Sequence, residues 1–105
     1  MIVTPVINIV DAPKGWERDP QFVYIGRPGK GHNGYFGNPI RLAKGEPRGA
    51  TIERFRAYAE ARRSRDWEFR SSLADLHGKT LVCFCKPSPC HGDVLAELSR
   101  LDPDA

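Results

Sequence analysis

The stretch TLVCFCKPSPCHGDVLAEL, residues 80–98, decides the fold of this 105-residue chain. Residues 80–85 form an apolar run of strand length, and the prolines that follow predict a turn. A helix is predicted to open at about residues 90–92 and to continue to about Leu101. Open α/β sheets place ligand sites where the carboxyl end of a strand passes into a helix. This strand–turn–helix is therefore the first candidate for a functional site.

The rest of the chain predicts further elements of the same kind. Apolar, β-branched runs at residues 6–10 and 22–26 predict two earlier strands. Helical spacing predicts a helix from Thr51, as its cap, to about residue 64, and a second helix at about 66–76. The fold class predicted from this order is α/β: a small, single-domain layered fold with a short, partly parallel sheet flanked by helices. Residues 40–42 are a candidate for an additional short strand.

The size and composition predict one soluble domain. A chain of 105 residues, 40% hydrophobic and 28% charged, fits a single domain over 1–105, with a core of about 5–101 and a frayed C-terminal tail. It holds no apolar run of about 18 residues, so no transmembrane helix is predicted. The N-terminal residues do not resemble a secretory signal. Three clustered cysteines do not resemble a secreted disulfide framework, which favours a reducing cytoplasm.

The charge pattern gives only weak support for nucleic-acid binding. The net charge is +3, and five arginines crowd the middle of the chain: Arg54, Arg56, Arg62, Arg63 and Arg65. They suggest a basic patch, but acidic neighbours balance them, namely Glu53, Glu60 and Asp66. A solvated helix face is the favoured interpretation, because a nucleic-acid-binding domain is usually far more basic.

The residues that open the last helix carry the predicted chemistry. A thiol at Cys90 would feel the positive end of the helix, which favours the thiolate. Cys90 is thus a candidate nucleophile, His91 a candidate base, and Asp93 a group that orients a ligand hydroxyl. Cys85, at the end of the strand, and Gly92 are candidate ligand-binding residues.

Three interpretations of the cysteine cluster remain open. The favoured one is a metal-free site, with no cofactor, that holds an anion or a nucleotide. The alternative is zinc or an iron–sulfur cluster held by Cys83, Cys85, Cys90 and His91, whose ligand types fit but whose C-x-C spacing on an extended strand is atypical. The third is that Cys83 and Cys85 are buried packing residues and that Cys90 fills a turn.

A glycine-rich loop at residues 26–39 is the second candidate site. Arg27 follows a predicted strand, and its guanidinium suits a phosphate or a carboxylate. Gly37 is one of several glycines that would let the backbone approach a ligand closely, and Asn38 would fix the turn or contact the ligand. The pattern is neither a P-loop nor a dinucleotide-binding turn.

The two sites together resemble a known family. The motifs are YIGRP at residues 24–28, GNP at 37–39 and GKTLVCFCKP followed by CHGDVL within 78–95. They resemble domain of unknown function 4326, a small family common in bacteriophages and actinobacteria. Tyr24 and Gly26 lie in these motifs and join the candidate ligand-binding residues. The resemblance implies a bacterial protein, or a phage protein in the host cytoplasm, and it implies no reaction.

The sequence therefore predicts one cleft between the Arg27 loop and the Cys85–Asp93 turn. Its predicted function is to bind a nucleotide-like or other phosphorylated small molecule. A stronger version of this prediction is that the protein also processes the molecule chemically. The alternative is a zinc or iron–sulfur module for nucleic-acid or protein interaction, and a third possibility is a phage or host interaction protein without catalysis. No membrane partner is expected.

Overall fold

The structure is a computed structural model that describes residues 4–26, 34–37, 39, 44–46, 50–84 and 90–101. Its strands are β1 (Val6–Asn8), β2 (Phe22–Tyr24) and β3 (Thr80–Cys83), and its α-helices are α1 (Ala50–Arg65), α2 (Trp67–Ala74) and α3 (His91–Leu98). Two short 3-10 helices, Ile9–Asp11 and Trp16–Arg18, lie between β1 and β2. The predicted α/β class is confirmed.

The last strand in the sequence is the centre of the sheet. The strand order is β1-β3-β2, and both pairings are parallel, so the described sheet is wholly rather than partly parallel. Leu81, Val82 and Cys83 are completely buried. Apolar residues on both faces are typical of a central strand in a parallel sheet, and the predicted interior position of this strand is confirmed.

The helices cover one face of the sheet. Leu81 and Cys83 on β3 join a buried cluster with Phe55 of α1, Phe69 of α2 and Leu95 of α3. Val23 packs against the same cluster. An ion pair between Arg56 and Glu97, 2.6 Å apart, also joins α1 to α3. At this surface site the pair adds little stability, so the core holds the helices in place.

The segment between β1 and β2 lies against the opposite face. Side chains alternate along a strand, so Tyr24 points away from the face on which Val23 packs. Trp16, in the second 3-10 helix, is 8% exposed, and its ring centroid lies 6.5 Å from that of Tyr24. The sheet is thus covered by helices on one side and by this short segment on the other.

Several predicted element boundaries were wrong: β2 ends at Tyr24 rather than residue 26, β3 at Cys83 rather than residue 85, and α3 at Leu98 rather than about Leu101. Two further boundaries were wrong for local reasons. The first strand ends at Asn8 rather than residue 10, because the Asn8 side chain accepts a hydrogen bond from Val10 N and starts a 3-10 helix. Thr51 is not a helix cap: it lies inside α1, which starts at Ala50, and it is buried. α2 starts at Trp67, next to the predicted start at about residue 66, and the Asp66 side chain caps it by accepting from Phe69 N.

Several predictions fall on residues that the structure does not describe. They include the additional strand at 40–42, the tail at 102–105 and the last residue of the predicted strand, Cys85. Among the described residues, no helix is long and apolar enough to cross a membrane.

Candidate functional site

The three strands end at one edge of the sheet. Because both pairings are parallel, the carboxyl ends of β1, β2 and β3 lie side by side. Asn8, the last residue of β1, donates from Nδ2 to the carbonyl oxygen of Phe84, just after β3, at 3.3 Å. Ile25, just after β2, donates its N–H to Val82 O at 2.9 Å. These bonds hold the three strand ends together.

The chain leaves β1 and β3 on opposite faces of the sheet. After β1 it passes to the face where Trp16 contacts Tyr24, whereas after β3 it returns as α3, which packs in the helical layer. Neighbouring parallel strands with this divergence open a crevice at their carboxyl ends, where open α/β sheets bind ligands. The carboxyl ends of β1 and β3 lie at the predicted strand–turn–helix site.

Cys90 caps α3 at this edge of the sheet. Its backbone is extended, and its sulfur accepts a hydrogen bond from Gly92 N at 3.3 Å. Its carbonyl oxygen accepts from Asp93 N at 3.0 Å. The N–H groups of Gly92 and Asp93 are thus already bonded, so an anion at this edge would depend on other donors.

The sulfurs of Cys83 and Cys90 are in contact. The Cys90 thiol donates to Cys83 Sγ, with 3.1 Å between the two sulfurs, and both residues are completely buried. The expectation that Cys83 is a buried, apolar packing residue agrees with its position in the core. Its contact with Cys90 could not be expected from the spacing within the strand, because it depends on how α3 folds back.

His91 joins the end of β2 to α3. Its Nε2 lies 2.6 Å from the carbonyl oxygen of Ile25, and because a carbonyl can only accept, Nε2 carries the proton. In this tautomer Nδ1 is the basic nitrogen, 3.9 Å from Cys90 Sγ. The edge of the imidazole meets Phe55 of α1, with centroids 5.1 Å apart and planes at 76°. His91 is 5% exposed, so it is a core histidine as well as a candidate base.

Two glycines allow close packing at the edge. A Cβ on Gly92 would lie 2.5 Å from Ile25 Cδ1 and 2.8 Å from Val6 Cγ1, so only glycine lets α3 approach the sheet this closely. A Cβ on Gly26 would lie 2.6 Å from Tyr24 Cζ. Both were predicted to bind ligand, and their described contacts give each of them a packing role.

An aromatic pair lies at the same edge on the other face. Tyr24 meets Phe84 edge-on, with ring centroids 6.0 Å apart, and Phe84 is 53% exposed. Burial, and less strongly the charge of Cys83, raise the pKa of Tyr24, so its hydroxyl is a hydrogen-bond donor at neutral pH. The exposure of Phe84 could not be expected from the sequence, because the residue lies within an apolar run.

Three predicted site residues lie outside the described part of the chain: Arg27, Asn38 and Cys85. Gly37 is described, and it closes a turn by donating its N–H to Gly34 O at 2.9 Å. The aromatic residues of that turn, Tyr35 and Phe36, lie within 6.3 Å of the Phe69 ring by centroid distance. This turn is therefore anchored to α2.

The arginines of α1 are partly neutralised by acidic partners. Arg54 forms an ion pair with Glu46, Arg56 with Glu97 and Arg62 with Asp66. Arg62 also lies over the Phe69 ring, 4.3 Å from its centroid. This pattern agrees with a balanced helix face, as the sequence predicts. Within the described ranges, no three histidine, cysteine or acidic side chains are grouped to hold a metal ion.

The comparisons with known proteins identify the family. The model of domain of unknown function 4326 (DUF4326) matches residues 9–101, so the chain belongs to this family. It is also 41% identical over 76 residues to an "Uncharacterized 12.4 kDa protein in nrdA-td intergenic region" of Enterobacteria phage T4, a match that covers 70% of this chain and 68% of the relative. No solved structure gives a significant match. The predicted resemblance is confirmed.

Proposed function

We propose that this member of the DUF4326 family binds a nucleotide-like or other phosphorylated small molecule at the carboxyl edge of its sheet. The observation that carries the proposal is the hydrogen bond between His91 Nε2 and Ile25 O. It fixes the chain just before Arg27 against the start of α3. The Arg27 loop, singled out from the sequence, therefore starts beside the helix start of the strand–turn–helix.

Arg27 is the proposed anion-binding group. The N–H groups of Gly92 and Asp93 are used within the helix cap, so a phosphate needs a side-chain cation. A guanidinium suits this role because it can donate two parallel hydrogen bonds to a phosphate. Asn38 would fix the loop or contact the ligand, and Asp93, which is partly exposed at the start of α3, would orient a ligand hydroxyl.

Chemical processing of the ligand is the stronger form of the proposal. Cys90 would be the nucleophile and His91 Nδ1 its base, across 3.9 Å. A nucleophile has to touch its substrate, and Cys90 is completely buried. The burial of Cys90 favours binding as the primary role, with Cys90 and His91 as the floor of the site. The proposed compartment is the cytoplasm, whose thiol reductants keep Cys83 and Cys90 reduced in the absence of an oxidant.

The test is ligand-dependent thermal stabilisation. Wild-type protein should melt at a higher temperature with at least one member of a panel of inorganic phosphate, ribose phosphates and nucleotides, because ligand binding to the folded state stabilises it. Arg27→Ala should abolish this shift and leave the melting temperature without ligand nearly unchanged. Arg65→Ala removes the same charge from an exposed position at the end of α1, and it should retain the shift. An equal loss in both variants would contradict a specific role for Arg27.

A zinc or iron–sulfur module is the second candidate function. The contact between Cys83 and Cys90 is the observation that favours it, because the two sulfurs, 3.1 Å apart, would have to separate by only about 0.7 Å to reach the spacing of about 3.8 Å that two thiolates have on one tetrahedral zinc. Cys85 and His91 would complete the predicted set. A resident metal should appear at about one per chain in elemental analysis, and a chelator should then lower the melting temperature. We expect metal-free protein, and stoichiometric metal lost in Cys83→Ser would replace the first proposal with the second.

A further inference from the structure

We propose that Cys83 and Cys90 are a redox pair, in which a hydroperoxide oxidises Cys90 and Cys83 then closes an intramolecular disulfide. This modification site is independent of the ligand proposed above. Its basis is the distance of 3.1 Å between the two sulfurs, about 1 Å longer than an S–S bond. Each cysteine flanks or ends a regular element, Cys83 at the end of β3 and Cys90 as the cap of α3.

The surroundings of Cys90 make it the attacking sulfur. Gly92 N–H donates to Cys90 Sγ at 3.3 Å, and the positive end of α3 lies beside it. The Cys90 thiol proton, which points to Cys83 in the described structure, can be transferred to His91 Nδ1 at 3.9 Å once the thiol rotates. All three features favour the thiolate, which is the form that reacts with peroxides. Cys83 lies inside the sheet and is the resolving thiol.

The reaction takes place in two balanced steps. The Cys90 thiolate attacks one oxygen of the hydroperoxide, the O–O bond breaks, and water (or an alcohol) leaves with the transferred proton, so that Cys90 becomes a sulfenic acid. Cys83 Sγ then attacks Cys90 Sγ, the S–S bond forms, the S–O bond breaks, and the second oxygen leaves as water. Two thiols are oxidised, and one peroxide is reduced. A cellular dithiol reverses the reaction by thiol–disulfide exchange.

The burial of both sulfurs sets the class of oxidant. Cys83 and Cys90 are 0% exposed, so a bulky disulfide such as oxidised glutathione cannot reach them in the closed structure. Hydrogen peroxide is close to water in size, and a slight opening of the edge would admit it. The folded protein should therefore react with hydrogen peroxide well before it reacts with oxidised glutathione.

The test maps the oxidised cysteines in the full chain. Reduced protein is treated with hydrogen peroxide, its remaining thiols are alkylated, and the disulfide is then reduced and alkylated with a heavier reagent. Because Pro87 protects Lys86, trypsin leaves all three cysteines in the peptide of residues 80–100, and fragment ions assign each label. We expect the heavy label on Cys83 and Cys90 and the light label on Cys85.

Controls separate this pairing from nonspecific oxidation. Cys85→Ser should form the disulfide as wild type does, whereas Cys83→Ala should stop at a Cys90 sulfenic acid, which dimedone traps when it is added with urea after the peroxide has been removed. In wild-type protein unfolded by urea, the selectivity among the three cysteines should disappear. This control does not depend on whether a variant folds. A disulfide that includes Cys85, no disulfide in the wild type, or protection of both thiols by bound metal would each overturn the proposal.

Discussion

Replacing Phe55 with alanine should greatly lower the free energy of unfolding of the protein. The ring is 1% exposed and packs edge-on against the His91 imidazole. Truncation of a buried phenylalanine costs about 3–5 kcal/mol, a large share of the total stability of a domain this size. The melting temperature should fall by about 4–8 °C for each kcal/mol lost.

Trp67 provides the matched control for Phe55. It is also a large aromatic residue on a helix, but 69% of its surface is exposed. Trp67→Ala should change the free energy of unfolding by no more than about 0.5 kcal/mol. Similar losses for the two variants, measured by urea unfolding, would contradict the described core. Because Phe55 holds the imidazole in place, Phe55→Leu should also perturb the His91 ring signals in NMR spectra while the protein remains folded.

Replacing Gly92 with alanine should destabilise the protein although alanine is the better helix former. In an open helix position the change would stabilise by up to about 1 kcal/mol. Here the new methyl group would lie 2.5 Å from Ile25 Cδ1, and overpacking of this kind costs about 1–3 kcal/mol. The sign of the change in unfolding free energy therefore tests whether α3 packs this closely on the sheet. A Gly92→Ala variant that is more stable than wild type would show that it does not.

A second substitution locates the clash. Ile25→Val removes Cδ1, the atom nearest to the new methyl group. The double variant Ile25→Val/Gly92→Ala should lose less stability than the sum of the two single variants, because neighbouring residues couple through shared space. If the stability losses of the two single variants simply add in the double variant, the new methyl group does not clash with Ile25 Cδ1. His91, next to Gly92, bonds to the carbonyl of Ile25. Gly92→Ala should therefore also reduce the rise in melting temperature caused by any ligand that stabilises the wild-type protein.

Local patterns predicted the strand–turn–helix well. The apolar run at residues 80–85 predicts a strand buried on both faces, and Leu81 and Val82 are indeed completely buried, whereas Phe84 lies outside β3 and is 53% exposed. The start of α3 followed from the small and polar residues near Cys90. These predictions succeeded because they depend on neighbours in the sequence, and the family match has the same basis.

Contacts between distant segments could not be predicted in this way. The hydrogen bond from His91 to Ile25 joins residues 66 positions apart, and the sulfur contact depends on the angle at which α3 returns to the sheet. The side-chain amide of Asn8 alone ends β1 two residues before its predicted end at residue 10. No periodic pattern contains such information, because each contact is set by packing across the whole core.

The position of β3 has a consequence for how the protein is made. β1 and β2 each pair only with β3 in the described sheet, and β3 is the last of the three strands to leave the ribosome. Until residue 80 has been synthesised, β1 and β2 lack the strand with which they pair in the described sheet, and their exposed edges invite association with other chains. Late pairing between distant segments also slows folding. A nascent chain should thus stay sensitive to proteases through most of its synthesis and become protected in one late step.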